Sequence, residues 1–116
     1  MSRILEYELI KRAKGLAKKK SGSSYLKLGA VGSALVTSKG KIYTGTSINA
    51  DCGIGMCAES VAIASMLSNG EYLIKEIVAI NSHGVILPPC GRCREFIYQA
   101  DKRNYNTSII IDKKMQ

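Results

Sequence analysis

The chain has 116 residues, of which 46% are hydrophobic and 22% charged, and its formal net charge is +8. This size and composition predict a single domain over residues 1–116 with one core. No apolar run approaches the roughly 20 residues of a membrane-spanning helix and no leader pattern is visible, so we expect a cytoplasmic protein without membrane contact. The lysines crowd one N-terminal segment and the chain has no Trp, so a nucleic-acid partner is not expected.

The first predicted element is an amphipathic helix over residues 3–19. Its apolar residues recur at spacings of three and four, with lysines on the opposite face. Ser2 is the expected N-cap. The polar Gly/Ser stretch that follows, residues 20–24, predicts a mobile connector.

A β-hairpin is predicted next. Residues 30–37 and 42–44 read as strands around a tight turn at residues 38–40, which favours antiparallel pairing. The first strand consists of small residues, so another element can pack closely against it. Residues 49–56 show no periodicity and predict a loop that leads to the next helix.

The second half of the chain alternates helices and strands. Residues 58–67 predict a buried helix that ends at Asn69-Gly70, and a second helix is expected at residues 90–100 after a pair of prolines. Residues 74–80 and 107–111 predict strands that are buried on both faces. This order implies an α/β domain whose mixed sheet has its last strands parallel and helices on both faces.

Three cysteines at the starts of the two later helices form a candidate metal site. Cys90 and Cys93 lie three residues apart, so both sulfurs project from one side of a first helical turn, and Cys57 would be the third ligand. Catalytic zinc uses three protein ligands and leaves its fourth position to water. Cysteines in a chain without an export signal are more typical of metal ligands than of disulfides, so we predict a Zn²⁺ site.

Glu59 follows Cys57 by two residues and is the candidate acid/base. A carboxylate beside a metal-bound water can accept a proton from that water and pass protons on to the atoms that react. The simpler interpretation is that a carboxylate in a first helical turn complements the helix dipole.

Two arginines are candidates for balancing the charge of such a site. Three thiolates give zinc a formal charge of −1, which weakens its ability to acidify water. Arg92, between the two later cysteines, and Arg94, just after them, could donate hydrogen bonds to sulfur. The alternative is that both are ordinary surface residues or subunit contacts.

The spacing Cys-x-Glu followed by Pro-Cys-x-x-Cys is the signature of zinc-dependent nucleobase deaminases. Residues 45–96 resemble the cytidine deaminase family, and residues 89–94 resemble its blasticidin S deaminase branch in particular. The resemblance implies a three-layer α/β/α fold, commonly a homotetramer with sites completed by neighbouring subunits. It also implies that the Ala58 N–H and the Pro88 carbonyl orient the base, and it assigns the zinc ligands Cys57, Cys90 and Cys93 and the proton shuttle Glu59.

The sequence departs from the family's pattern at the positions that hold the ribose hydroxyls of the substrate. The family's Asn-x-Glu is replaced by Ser47-Ile48-Asn49, which makes Ser47 and Asn49 the candidate substrate-binding residues. Its Phe-Pro-Val-Gly is replaced by residues 29–32, which lack the aromatic ring. Ser60 follows Glu59 where three-cysteine relatives have Arg. Residues 112–116 alone follow the last predicted strand.

The sequence therefore predicts a zinc-dependent hydrolytic deaminase of a free cytidine-like nucleoside, with attack by zinc-bound hydroxide, release of ammonia and a dimeric or tetrameric assembly. One alternative is a deaminase of a blasticidin S-like nucleoside or another aminated heterocycle. An alternative of another class is a non-catalytic structural-zinc or RNA-binding module, in which Cys52 would be a fourth ligand.

Overall fold

The computed structural model describes residues 3–50 and 54–111, which fold as a mixed sheet between helices. None of the helices in these ranges is long and apolar enough to cross a membrane. In chain order the elements are α1 Arg3–Leu16, β1 Lys20–Ser23, β2 Leu26–Thr37, β3 Ile42–Ala50, α2 Ala58–Ser68, β4 Ile74–Asn81, β5 Ile86–Leu87, α3 Gly91–Ala100, a 3₁₀ helix Lys102–Asn106 and β6 Ser108–Ile109.

The long strand β2 organises the sheet. It pairs antiparallel with β3 along one edge and with β1 and β4 along the other. The far edge of β4 pairs antiparallel with β5 and parallel with β6. The predicted hairpin is confirmed, and so is the predicted parallel pairing of the last strands, which joins β4 to the short strand β6.

Two hydrophobic clusters cover the two faces of the sheet, as the alternation of side chains along β2 requires. Ala34 and Val36 point to the cluster that includes Leu9 of α1. Leu35 points to the opposite cluster, which includes Ile63 of α2 and Ile97 of α3. The three-layer α/β/α architecture predicted from the sequence is confirmed.

The prediction of a mobile connector at residues 20–24 is wrong. Residues Lys20–Ser23 form β1, which pairs with the first part of β2, for example Lys20 with Leu28. The helix before it ends at Leu16, three residues earlier than predicted. The polar composition hides this strand because an exposed edge strand needs backbone partners but few apolar side chains.

The prediction of a buried strand at residues 107–111 is also wrong in part. The strand β6 covers only Ser108–Ile109, and both side chains are exposed, although Ile110 is buried. In the described residues β6 pairs only with β4, so its other edge is open. The N-cap predicted at Ser2 lies outside the described residues.

Two glycines fix how closely the helices approach the sheet and so position the site. A Cβ atom at Gly32 of β2 would lie 2.1 Å from the Ala13 carbonyl oxygen of α1. A Cβ atom at Gly45 of β3 would lie 2.5 Å from the Ala58 carbonyl oxygen of α2. The expected close packing on the small-residue strand is confirmed, and α2 lies directly against β3.

Candidate metal centre and active site

The three candidate ligands converge where α2 and α3 begin. Cys57 is the N-cap of α2, Cys90 is the N-cap of α3, and Cys93 lies in the first turn of α3. Their sulfur atoms all lie within 4.8 Å of one another, and the Cys57 and Cys90 sulfurs are 3.7 Å apart. Two sulfurs on a tetrahedral zinc with Zn–S bonds of about 2.3 Å are about 3.8 Å apart. The three thiols are therefore positioned to bind a zinc ion.

The surroundings of the three thiols differ. Backbone N–H groups of Cys93 and Arg92 lower the pKa of Cys90, as expected for a sulfur at a helix N-terminus. Burial raises the pKa of Cys57. Burial also raises the pKa of Cys93 to about 12, although the Ser60 hydroxyl opposes the rise. A cation bound at this group would displace the proton of Cys93, because a metal-coordinating thiol is deprotonated outright.

Glu59 lies beside this group in the first turn of α2. Its side chain is 7% exposed, and its Oε1 is 3.9 Å from the sulfur of Cys93. Burial raises the pKa of Glu59, while its own backbone N–H and the Cys93 thiol lower it. A raised pKa favours the return of a proton that the carboxyl group has accepted.

Two groups that the sequence did not assign as donors also contact the sulfurs: the Arg92 backbone and the Ser60 hydroxyl. The Arg92 backbone N–H donates to Cys90, and the Ser60 hydroxyl lies 3.5 Å from the sulfur of Cys93. The Arg92 and Arg94 side chains are both exposed. A contribution from their guanidinium groups stays a prediction.

A cavity of about 500 Å³ opens beside the cysteines, within the usual size range for small-molecule sites. Strands β2 and β3, the start of α2 and the segment before α3 form its walls. Among the described residues, none of the lining side chains is aromatic, as the replaced Phe-Pro-Val-Gly motif suggested. Each residue that the sequence assigned to substrate binding lines this cavity, namely Ser47, Asn49, Ala58 and Pro88.

Ser47 has a structural role as well. Its Oγ accepts a hydrogen bond of 2.9 Å from the backbone N–H of Val31 on the neighbouring strand. The bond occupies an acceptor position and leaves the hydroxyl proton to donate to a ligand. Asn49 is two residues further along the same face of β3 and is exposed.

Ser60 could have been found from the sequence by its spacing. It lies three residues after Cys57, and residues three apart share a helix face. The contact with Cys93, however, joins two helices and has no local signature. Cys52, the proposed fourth ligand of a structural site, lies outside the described residues.

Comparisons with known proteins agree with this geometry. The family model described as "Cytidine and deoxycytidylate deaminase zinc-binding region" matches residues 5–108. A cytidine deaminase of Mycobacterium tuberculosis is 32% identical over 71 residues, which are 60% of this chain and 53% of that protein. A blasticidin-S deaminase of Bacillus cereus is 40% identical over 76 residues, which are 58% of this chain and 54% of that protein.

The chain thus spans about half the length of the curated relatives it matches. Among solved structures, the crystal structure of cytidine deaminase from Mycobacterium leprae superposes with a TM-score of 0.74 at 26% identity. The superposition covers 91% of this chain and 87% of that one. The chain belongs to the family defined by the cytidine and deoxycytidylate deaminase zinc-binding region.

Proposed function

We propose that the protein is a zinc-dependent hydrolytic deaminase of a free cytidine-like nucleoside. The reaction replaces a ring C–NH₂ group with a carbonyl, consumes one water and releases one ammonia. One observation carries the proposal: a buried carboxylate, Glu59, lies 3.9 Å from one of three converging thiols in the wall of a cavity of about 500 Å³.

The residues of the site have separate tasks. Cys57, Cys90 and Cys93 hold the zinc, which when bound acidifies water and so supplies a nucleophile at neutral pH. Glu59 accepts a proton from the attacking water and delivers it to the ring nitrogen. It then takes the second proton from the newly formed C–OH group and gives it to the departing amine. The raised pKa of Glu59 supports this sequence, because the same group must act as base and then as acid.

Backbone groups at the cavity orient the base. Ala58 is the first residue of α2, where a backbone N–H has no partner within its own helix. Pro88 lines the same cavity in the segment that leads to α3, and its carbonyl is the proposed acceptor. A backbone donor and a backbone acceptor in one cavity suit the ring nitrogen and the amino group of an aminated pyrimidine.

A blasticidin-type or otherwise modified nucleoside is the second candidate substrate. The 40% identity to the Bacillus cereus blasticidin-S deaminase favours it. So does the sugar end of the cavity, where Ser47 and Asn49 replace the pair that reads ribose hydroxyls in cytidine deaminases. An uncharged serine and amide there give less discrimination for ribose than a carboxylate does.

The assembly that we propose is a homotetramer in the cytoplasm, where reducing conditions keep the three thiols available for zinc. Several large apolar side chains are exposed in the single chain, which supports burial between subunits: Tyr7, Tyr25, Ile54, Tyr72 and Tyr105. Analytical ultracentrifugation of the zinc-loaded protein tests this assembly, and a concentration-independent monomer would contradict it.

The substrate is tested by measuring ammonia release from cytidine, deoxycytidine, cytosine and blasticidin S with zinc-loaded protein. We expect release from at least one nucleoside and none from the same mixture with the Glu59→Gln variant. Loaded protein that holds zinc but releases no ammonia from any compound would instead favour the non-catalytic module.

A further inference from the structure

We propose that Ser60 is a positioning residue of the metal centre, whose hydroxyl holds the thiolate of Cys93 in place. Ser60 directly follows Glu59 on α2, and its Oγ is 3.5 Å from the Cys93 sulfur. The inference rests on the proposed zinc site but not on the identity of the substrate.

The direction of this hydrogen bond follows from the metal. In the free thiol either atom could be the donor. A cysteine bound to zinc has no proton, so the hydroxyl must donate and the sulfur must accept. Both residues are buried, Ser60 at 1% and Cys93 at 0% exposure, so water does not compete for the bond.

Cys93 needs such a donor more than Cys90 does. Two backbone N–H groups donate to Cys90 at the start of α3. In the part of the chain that the structure describes, the hydrogen bonds given for the Cys93 sulfur involve Ser60, Cys57, Cys90 and Glu59. When all three thiols are deprotonated, neither Cys57 nor Cys90 has a proton to share, and an ionised Glu59 is acceptor-only. The Ser60 hydroxyl then remains as the donor among these groups.

Nearby negative charge adds to this requirement. Glu59 and Cys93 are 3.9 Å apart, so an ionised Glu59 would place a second negative charge beside a zinc-bound thiolate. A hydrogen-bond donor to the sulfur lowers the cost of such a pair, since hydrogen bonds to charged groups are among the stronger ones in proteins. Outer hydrogen bonds of this kind also fix the orientation of a metal ligand.

A substitution series at Ser60 separates the effect of the hydroxyl from the effect of side-chain shape. Ser60→Thr keeps the hydroxyl, and Ser60→Val has nearly the same shape without it. Ser33→Ala is the matched control, because Ser33 is equally buried but donates to the Val78 carbonyl at 2.7 Å, within the sheet.

The test measures the rate at which zinc passes from each loaded variant to a coloured chelator. We expect Ser60→Ala to release zinc about 10- to 100-fold faster than the wild type, in line with other outer-shell losses. Ser60→Thr should stay close to the wild type, and Ser33→Ala should change thermal stability but not the release rate.

Cobalt-substituted proteins provide a second readout, because the sulfur-to-cobalt charge-transfer band reports electron density on the thiolates. This band should shift in Ser60→Val but not in Ser60→Thr. Equal release rates and equal spectra for the Thr and Val variants would overturn the proposal, even if Ser60→Ala failed to fold. A wild type that binds no zinc would instead contradict the proposed function.

Discussion

Glu59 Oε1 and Cys93 Sγ lie 3.9 Å apart, although one belongs to α2 and the other to α3. The contact joins the candidate acid/base to a candidate metal ligand across the junction of the two helices. The positions of α2 and α3 relative to each other therefore decide both metal binding and proton transfer.

Zinc should stabilise the fold measurably, because a ligand that binds only the folded state raises the free energy of unfolding. We expect the melting temperature of the wild type to rise when zinc is added after chelation. The Cys57→Ala variant should show no such rise, because two of the three proposed ligands are not enough to hold the zinc. Differential scanning calorimetry checks this, and an equal zinc response of both proteins would exclude Cys57 as a ligand.

Gly45→Ala should destabilise the protein and weaken the site together. The added Cβ would lie 2.5 Å from the Ala58 carbonyl oxygen and 2.6 Å from the Ala62 nitrogen, which are backbone atoms with little freedom to move. We expect a loss of about 1–3 kcal/mol in the free energy of unfolding. Zinc affinity should fall as well, because α2 carries Cys57.

Gly15→Ala is the control for that substitution. Apart from the adjoining residues and backbone of its own helix, no heavy atom lies within 4 Å of the added Cβ at this position. Alanine is favoured over glycine in a helix by up to about 1 kcal/mol, so stability should be unchanged or higher. Urea unfolding measures the free energy of unfolding of both variants. Equal values would contradict the close approach of α2 to β3.

Much of this arrangement is readable from the sequence, because local patterns specify it. The apolar stripe of α1, the small residues around Gly32 and the cap at Asn69-Gly70 predict elements that the structure contains. The cysteine spacing predicts the metal group. These features depend on residues close together in the chain.

The features that the sequence did not predict depend on distant partners. Strand β1 forms because β2 extends far enough to pair with Lys20, not because its own residues favour a strand. The Ser60 contact requires α3 to lie against α2. Glu76 is a charged residue in a strand, and its burial likewise depends on residues from other parts of the chain that pack against that strand.

Stability should fall as the pH rises through neutrality because of Glu76. This residue of β4 is 3% exposed, and among the described residues its Oε1 has no hydrogen-bond partner. Burial, with a hydrogen bond shared with Glu6, raises the pKa of Glu76 to about 7 from 4.5. At a pH between these two pKa values, the folded state therefore keeps a proton that the unfolded state has released. The stabilisation is complete below pH 4.5 and is lost as the pH rises through about 7.

Glu76→Gln should remove this dependence, because an amide stays neutral. The free energy of unfolding, measured with urea at pH 5 and at pH 8, should decrease less between these two conditions for the variant than for the wild type. Glu95→Gln, at an exposed position of α3, is the control and should behave like the wild type. Identical decreases for wild type and Glu76→Gln would show that Glu76 does not titrate in this range.

Ser47→Ala should weaken substrate binding more than chemistry. The change removes a hydroxyl that lines the cavity and leaves the Val31 N–H without the acceptor that it has at 2.9 Å. We expect KM to rise about tenfold with kcat little changed, as for a lost hydrogen bond outside the reacting atoms.

Thr46→Ala is the control on the same strand. Its hydroxyl donates to the Leu16 carbonyl of α1, so it points away from the cavity. Steady-state kinetics on the best substrate should show an unchanged KM for this variant. An unaffected KM in Ser47→Ala, or a kcat that falls as much as KM rises, would exclude the assigned role of Ser47.

The most direct test of the account compares zinc content and turnover in wild type and Glu59→Gln. Glutamine preserves the shape of the side chain but cannot carry protons between water, ring and amine. We predict that the variant keeps the wild-type zinc content and loses at least the ~10²-fold in kcat that general acid/base catalysis supplies. Turnover close to that of the wild type, with zinc still bound, would contradict the central role given to Glu59.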